Sequence, residues 1–390
     1  MPKRFDNSRR CIATGIRLAI RSVLVLASIL GTLPVSSWAD ESSALHPSEI
    51  EQIDPGTHLF HEAAMEDAWS VAACQTEPTI TPFAELLTLK LTQGSAENWA
   101  QEITPLGTGS LFGTANLVDA PFGWNAGVRA GFDRTWPQED SRVSLYYTYF
   151  GTQATNQAAG QVYSAFLGNF FADNPDGTGF GPNYRSASVD WDVQFHTIDL
   201  EFQRTYVISP ALTLRPFIGV KSGIIRQHID SKWNGPIDSS SHIYLFNSAT
   251  ETLSQDFWGI GPSIGVNASI PLSVTSDHSL TAYFNPSGSL MYGNWEFSEV
   301  YQTDGLTSTT ILTPSTIAIN NDPIHGAATM LRLALGLEWE RPGQFITTRV
   351  RLGYEAQVWL NQMQFYSYNM GRLNNLMSLQ GGVLEVGFCF

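Results

Sequence analysis

The chain has 390 residues, of which 15% are charged, 12% are aromatic and 33 are glycine. Soluble globular domains carry a charged share nearer to about 25%, so this composition favours a protein that turns one face to lipid. The formal net charge of −15 argues against nucleic acid as a partner, because phosphate backbones are bound by Lys and Arg.

The first 39 residues have the pattern of a secretory signal peptide. Six basic residues accompany an apolar segment at 23–35, and Ser37-Trp38-Ala39 has the small-x-small form of a cleavage site. The apolar segment is shorter than the ~20 residues that a retained membrane anchor needs. Cleavage near Ala39 would leave 15 basic and 35 acidic residues, a net charge of −20. Residues 40–82 are polar and weakly patterned, and they are interpreted as a periplasmic lead-in.

From residue 83 onwards, apolar residues alternate with small or polar ones. Side chains on a strand point alternately to opposite faces. The ten strands that this period predicts are 83–91, 124–132, 143–149, 189–207, 212–227, 258–270, 280–295, 331–339, 346–360 and 379–390. The first of these has a poor register, and a bulge is predicted between Phe195 and Ile198, where the alternation slips. Two further strands can be drawn within 107–120.

Short turns and long loops alternate down the chain. The predicted loops are 151–183, 230–251, 300–325 and 367–375. A structureless loop of more than thirty residues is unusual in a compact soluble domain, whereas outer-membrane barrels combine short periplasmic turns with long extracellular loops. The sequence therefore predicts an all-β, antiparallel transmembrane barrel over residues 83–390, with about 10 strands (10 to 12) and both ends in the periplasm.

The last strand ends on an aromatic residue. Its apolar face carries Leu384, Val386, Phe388 and Phe390, a pattern that resembles the C-terminal signal by which the barrel-assembly machinery recognises its substrates. The edge strand of a soluble sandwich can end in the same way, so the pattern alone is only moderately specific.

The wet faces of the strands carry both signs of charge. The predicted lumen-lining residues are Arg129, Asp133, Arg142, Asp199, Glu201, Arg215, Lys221, Arg332, Glu338, Arg349, Arg351, Glu355 and Glu385. Rings of a single sign give ion selectivity, so this mixture predicts a weakly selective channel for small hydrophilic solutes. The alternative is that the charges pair across a narrow lumen and plug it, since about eight strands leave an interior that side chains fill. Free space is favoured by the inward glycines, which are Gly219, Gly259, Gly261, Gly265 and Gly353.

Two cysteines remain after the leader is removed, Cys74 and Cys389. A disulfide between them is one hypothesis, crosslinking to other envelope proteins is another, and two unpaired thiols is the third, because spacing alone cannot establish a bridge.

No cofactor or metal site is predicted, and the chain is not expected to be an enzyme. Catalysis would need His and carboxylate groups gathered at the outer rim. His228 with Asp230 and His325 with Asp322 stand at loop bases, but no nucleophile with an ordered base is readable from their spacing.

Several segments together resemble one protein family. They are PFGWNAGVRAGFD, SLYYTYF, IDLEFQRTYVISPALTLRPFIGVKSGIIRQ, FWGIGPSIGVNASI, SLMYGNWEF, LRLALGLEWER and LGYEAQVWLNQ. They are similar to the major outer-membrane protein (porin) family of Legionella and the Chlamydia-like bacteria, over roughly residues 83 to 390. The resemblance implies an abundant porin at the bacterial cell surface, embedded in outer-membrane lipid and lipopolysaccharide, with adhesion to host surface ligands as a second role. It implies no catalytic residues, and it leaves the oligomeric state open.

Overall fold

The computed structural model describes most of the chain from residue 78 onwards. The described residues are 78–94, 96–105, 113–164, 183–237, 246–304, 316–320, 322–343, 345–367 and 371–389. The predicted signal peptide, most of the lead-in, Cys74 and Phe390 lie outside these ranges, so the leader, the disulfide and the last residue of the assembly signal stay predictions. Within the described part, none of the helices has the length and apolar character needed to span a bilayer.

Almost all of the described residues lie in strands. In chain order they are β1 Thr79–Gln93, β2 Ala100–Pro105, β3 Gly113–Val118, β4 Trp124–Trp136, β5 Ser141–Ser164, β6 Asn183–Arg204, β7 Tyr206–Ser209, β8 Leu212–Ile237, β9 Ser248–Val274, β10 Ser279–Thr303, β11 Thr316–Asn320, β12 Ile324–Arg341, β13 Thr347–Ser367 and β14 Gly371–Cys389. The first begins four residues before the predicted boundary at 83.

Ten of these strands close into one antiparallel barrel. The ring runs β1, β4, β5, β6, β8, β9, β10, β12, β13 and β14, and it closes where β14 pairs with β1. Closure leaves no exposed sheet edge around the ring, which is what allows a sheet to sit in lipid. The prediction of a transmembrane barrel with about ten strands is confirmed.

Four short strands attach to the ring without belonging to it. β2 and β3 form a hairpin that pairs with the last residues of β5, β11 pairs with β10, and β7 pairs with β8. The two extra strands drawn within 107–120 correspond in part to β3, which lies outside the ring.

The two ends of the barrel differ. One end of the barrel carries the C-terminus of β14 and the short connections, such as the 3-10 turn Pro137–Glu139, and we call it the turn end. We call the opposite end the loop end. β8, β9 and β10 have 26, 27 and 25 residues, whereas about 10 suffice to cross a bilayer. The surplus rises beyond the loop end. Parts of the predicted loops therefore continue the ladders as strands, with 151–164 in β5, 230–237 in β8, 248–251 in β9 and 300–303 in β10.

An apolar band surrounds the outside of the barrel. Ile218, Ile264 and Leu352 are 63–67% exposed to solvent, an arrangement that is stable only where lipid covers them. Tyr149, Trp258 and Tyr292 border the band towards the loop end, and on the turn-end side the Arg134 guanidinium lies 4.8 Å from the Trp136 ring centroid. Aromatic and basic side chains of this kind anchor a barrel at the two membrane surfaces.

The inside of the barrel changes character along its axis. Towards the turn end many inward side chains are charged. Towards the loop end they are mostly apolar and aromatic, with buried glutamines such as Gln227 and Gln255 among them. This change explains the poor register of β1, in which the inward Glu85 is followed by inward Leu87 and Leu89.

The prediction of a bulge between Phe195 and Ile198 is wrong, and the change in the interior along the barrel axis explains the error. The β5–β6 ladder runs without a break from Ser141↔Arg204 to Ala159↔Ser186. Phe195 is 1% exposed because it points into the aromatic half of the barrel interior. The apparent slip in the sequence marks the level at which apolar side chains move from the outer to the inner face.

Candidate functional site

The turn-end half of the interior is filled by ion pairs that cross the lumen. The Glu355 carboxylate of β13 lies 2.7 Å from Arg129 Nη2 of β4 and 2.6 Å from Arg332 Nη2 of β12. Arg129 also pairs with Glu85 of β1, and its Nε donates to Thr148 at 3.0 Å. β1 and β14 stand between β4 and β13 in the ring, so these bonds tie non-adjacent parts of the wall together.

A second group of ion pairs continues towards the turn end. Arg349 Nη2 lies 2.7 Å from Glu385 Oε1 and 3.2 Å from Asp133 Oδ2, and Asp133 also pairs with Arg142. Arg351 Nη1 lies 3.2 Å from the other oxygen of Glu385. Alternating charges joined in this way satisfy most of their hydrogen-bonding groups, which buried charges require.

The remaining inward charges stand on the β6–β8 side. Lys221 pairs with Asp199, and the Tyr146 hydroxyl donates to Glu201 at 2.6 Å. Glu338 pairs with Arg351, whereas Arg215, half-buried on β8, is not a member of these ion pairs. Each of the thirteen residues expected on the wet face thus points into the barrel. We call the whole set, with Glu85, the charged layer.

Sequence reasoning missed four contributors to the charged layer. Glu85 was overlooked because its strand lacks a uniform polar face. Tyr146, Gln203 and Tyr283 were not named because tyrosine and glutamine fit either face of a barrel strand. Gln203 Nε2 donates to Ser144 Oγ at 3.2 Å, and the Arg351 guanidinium lies 5.5 Å from the Tyr283 ring centroid. The only signal in the sequence was that these residues occupy the same alternating positions as their charged neighbours.

The charged layer leaves little open volume. Two cavities of about 40 and 60 Å³ lie within it, both lined by Arg332, Asn267 and Asn285. The side-chain oxygens of these two asparagines are buried without a protein partner among the described residues. Cavities of this size and polarity hold a few water molecules, not a hydrated solute.

The loop-end half of the interior is packed with aromatic rings, which we call the aromatic layer. Five tryptophans have at most 1% exposure: Trp99, Trp191, Trp233, Trp295 and Trp359. The Trp359 ring centroid lies 5.2 Å from that of Phe195 at 85°, across the lumen, and the Phe257 centroid lies 5.0 Å from that of Trp295. Edge and tilted contacts at these distances are the favoured aromatic geometries.

The inward glycines do not provide free space, contrary to expectation. A Cβ at Gly265 would run into the Phe217 ring, one at Gly259 into the Phe257 ring, and one at Gly353 into the Tyr283 hydroxyl. Gly219 and Gly261 are likewise approached by neighbouring backbone. Gly259, Gly265 and Gly353 therefore make room for larger side chains, and none of the five positions adds open space to the lumen.

Two carboxyl groups meet beyond the membrane-spanning part of the barrel, at the loop end. Glu299 lies seven residues past Tyr292, hydrogen-bonds Glu251, and is 2% exposed. Burial raises the pKa of the Glu299 carboxyl, and the hydrogen bond with Glu251 opposes this rise. Ser231 Oγ donates to Glu251 at 3.1 Å.

We expect Glu299→Gln to reduce the pH dependence of barrel stability. A carboxyl group whose folded pKa lies above its ordinary value of 4.5 stabilises the fold fully below that value. This contribution is lost as the pH rises through the raised folded pKa. Wild type should therefore lose stability relative to the variant as the pH rises from about 4.5 through the raised folded pKa. The measurement is the urea midpoint of the heat-modifiable band on gels. The exposed Glu296→Gln on the same strand is the control, and equal pH profiles for all three proteins would contradict the expectation.

The other sequence features fall in separate places. Leu384, Val386 and Phe388 lie half-buried on the outer face of β14, whose neighbour Glu385 points inward. The His325 ring stacks on Tyr292 with centroids 5.8 Å apart, and Asp322 is exposed. The residues of the described part include no group of three or more His, Cys, Asp and Glu side chains placed to hold a metal ion.

Comparison with known proteins gives one family and several barrels. The family model described as "Legionella pneumophila major outer membrane protein precursor" matches residues 81–390. Three solved structures are similar in fold. The outer membrane protease OmpT from Escherichia coli has 12% identity and a TM-score of 0.33, with 80% of this chain and 96% of that chain covered. The translocator domain of autotransporter NalP from Neisseria meningitidis has 9% identity and a TM-score of 0.31, with coverage of 82% and 91%. The Pseudomonas putida toluene transporter TodX has 9% identity and a TM-score of 0.24, with coverage of 83% and 92%. No curated protein matches the chain.

Proposed function

The chain belongs to the Legionella major outer membrane protein family, and we propose that it is a sealed surface protein of the outer membrane. Its barrel anchors a polar wall outside the cell and is closed to solutes in its resting state. The observation that carries this proposal is the filling of the lumen by two successive layers, one charged and one aromatic.

Each layer blocks a different kind of solute. The charged layer holds its arginines and carboxylates in mutual ion pairs, so an entering ion would have to break bonds between buried charges. The aromatic layer packs bulky rings beside buried glutamines such as Gln227 and Gln255, whose amides already hydrogen-bond within the protein. A hydrated solute would lose its water there. Two barriers in series therefore oppose passage.

The wall beyond the membrane supplies the surface for recognition. Strands β5, β6, β8, β9 and β10 continue outwards past the aromatic border, and their outer faces carry polar side chains such as Gln153, Asp192 and Lys232. Rigid strands that present polar side chains at a cell surface suit adhesion to host ligands, because little entropy is lost on binding.

A weakly selective channel for small hydrophilic solutes is the second candidate. It is favoured by the polar character of the charged layer and by its water-sized cavities. Conduction would require the aromatic layer to move aside, so this candidate describes an activated state of the same barrel.

We expect purified wild-type protein to give no stepwise conductance in planar bilayers at neutral pH. Insertion is checked on the same preparation by the shift in gel mobility on boiling, which reports a closed barrel. Trp258→Ala, which alters only the outside, is the matched control and should behave like wild type. Repeated, uniform conductance steps from wild-type protein would overturn the sealed barrel and support the channel.

The partners follow from the same surfaces. We propose that outer-membrane lipid and lipopolysaccharide cover the apolar band. We also propose that the barrel-assembly machinery recognises β14 through Leu384, Val386 and Phe388, together with Phe390.

A further inference from the structure

Three polar side chains form a hydrogen-bonded chain on the outer wall, away from the lumen. Ser254 Oγ lies 2.9 Å from His228 Nδ1, and His228 Nε2 lies 3.2 Å from Asp230 Oδ2. His228 and Ser254 are directly opposite in the β8–β9 ladder. Asp230 is the next residue after His228 whose side chain lies on the outer face of β8. The sequence offered His228 and Asp230 without a nucleophile, and strand pairing brings one to the histidine.

The geometry of this chain suits proton transfer. Thr252 Oγ1 donates to Asp230 Oδ1 at 2.7 Å, which holds the carboxylate in place. If His228 Nε2 carries its proton towards Asp230, Nδ1 is free to accept the proton of Ser254. A nucleophile, a base within hydrogen-bond reach and a group that orients the base are the three parts of an activated serine, whatever their order in the chain.

The surroundings suit an ester substrate at the membrane surface. His228 and Asp230 have side chains 46% and 56% exposed, so both are open to the outside. A recess of about 860 Å³ begins at Asp230 and Thr252, which belong to its lining, and it lies outward of His228 and Ser254. Ser254 stands four residues outward of Trp258, about 14 Å along the strand at ~3.4 Å per residue. For a strand tilted by ~40° this is about 10 Å along the membrane normal, which places Ser254 at the outer edge of the headgroup region.

Neighbouring charges bear on the substrate's own charge. Arg226 and Asp256 occupy the row below His228 and Ser254, with Arg226 Nε 3.6 Å from Asp256 Oδ1. Asp192 lies opposite His228 on its other side, in the β6–β8 ladder. Arg226, one row below His228 on the same face of β8, would be the cation to stabilise a developing oxyanion. The carboxylates disfavour an anionic substrate.

We propose that Ser254, His228 and Asp230 form the catalytic site of an ester hydrolase on the outer wall. Its substrate class is a neutral or cationic carboxylic ester of an amphiphile in the outer leaflet. This activity uses none of the residues that seal the lumen, so it stands or falls separately from the sealed barrel.

The reaction consumes one ester and one water. Ser254 Oγ adds to the ester carbonyl carbon while its proton moves to His228 Nδ1. The bond from that carbon to the alcohol oxygen then breaks, and the alcohol leaves with the proton from His228. Water adds to the acyl carbon and gives a proton to His228. Ser254 leaves, takes that proton back, and releases the carboxylic acid.

The test compares two serines in the same row of the wall. Ser298 is directly opposite Ser254 in the β9–β10 ladder and donates to Asn320 Oδ1 at 2.9 Å. Wild type, Ser254→Ala, His228→Gln and Ser298→Ala would be purified in detergent and reconstituted in phosphatidylcholine vesicles. Hydrolysis of p-nitrophenyl esters of short and long acyl chains is followed, and a fluorophosphonate probe is located by mass spectrometry.

We expect Ser254→Ala and His228→Gln to lower kcat/KM by at least ~100-fold, and Ser298→Ala to leave it unchanged. The probe should label Ser254 in wild type and should not label it in His228→Gln. Heat-modifiable migration of each variant shows that its barrel is closed. Wild-type hydrolysis no faster than that of boiled protein, retention of the rate in Ser254→Ala, or labelling of a different serine would each overturn the proposal.

Discussion

Replacing Glu355 with Gln should lower the free energy of unfolding by about 3–5 kcal/mol, because it leaves the buried Arg332 guanidinium without its counter-charge and Arg129 with Glu85 alone. Glu355 is 1% exposed and holds Arg129 and Arg332 on different strands. The amide can still accept hydrogen bonds, so the loss reports charge. The measurement is urea unfolding of the barrel in detergent or vesicles, followed by tryptophan fluorescence and gel mobility.

The matched control for Glu355→Gln is an ion pair on the outer wall. Arg226 and Asp256 lie 3.6 Å apart, and their side chains are 62% and 63% exposed. Water screens such a pair, so Asp256→Asn should cost less than about 1 kcal/mol. Equal losses for the two variants would mean that water reaches the charged layer freely, which would count against a sealed lumen.

Truncating Trp359 to Ala should by itself lower the free energy of unfolding by about 3–5 kcal/mol. The ring is fully buried against Phe195, and its Nε1 donates to Gln357 Oε1 at 3.0 Å. Truncation removes the aromatic contact, leaves a cavity and deprives Gln357 of its donor. Trp258→Ala, on the 46% exposed outer surface, should cost less than half as much.

A second substitution sharpens the test of Trp359. A Cβ added at Gly223 would stand 3.1 Å from Trp359 Cη2, so Gly223→Val alone should destabilise the barrel by overpacking. In the Trp359→Ala background the same valine enters the vacated space and should recover part of the lost stability. The effect of Gly223→Val on stability therefore changes sign between the wild-type and Trp359→Ala backgrounds. Simple additivity of the two substitutions would contradict the packing of the ring over this glycine.

The outward face of the barrel was readable from the sequence because it is defined residue by residue. The period of two places Leu331, Leu333, Leu335 and Leu337 together on one face of β12 whatever the rest of the chain does. Lipid then requires only that this face be apolar, so strand number, barrel class and the inward direction of Arg129 or Glu385 follow from local alternation.

The filling of the interior was not readable in this way. Alternation says that Arg129 points inwards, but its partner Glu355 stands 226 residues away on β13, which is not a neighbour of β4 in the ring. Likewise, Gly265 looks like empty space in the sequence, and only strand pairing shows the Phe217 ring lying over it. Which side chains meet across a lumen depends on ring closure and register, neither of which is encoded in one strand.

The sequence by itself determined the strands, their outer face and the mixture of charges within. Only the tertiary structure decided that ion pairs and aromatic rings fill the described part of the lumen, that the rings lie in its loop-end half, and that Ser254 meets His228 on the outer wall. The physical reason is that a strand's own residues fix which face each side chain takes. The contacts on that face are made with other strands, brought there by hydrogen-bond register around the closed barrel.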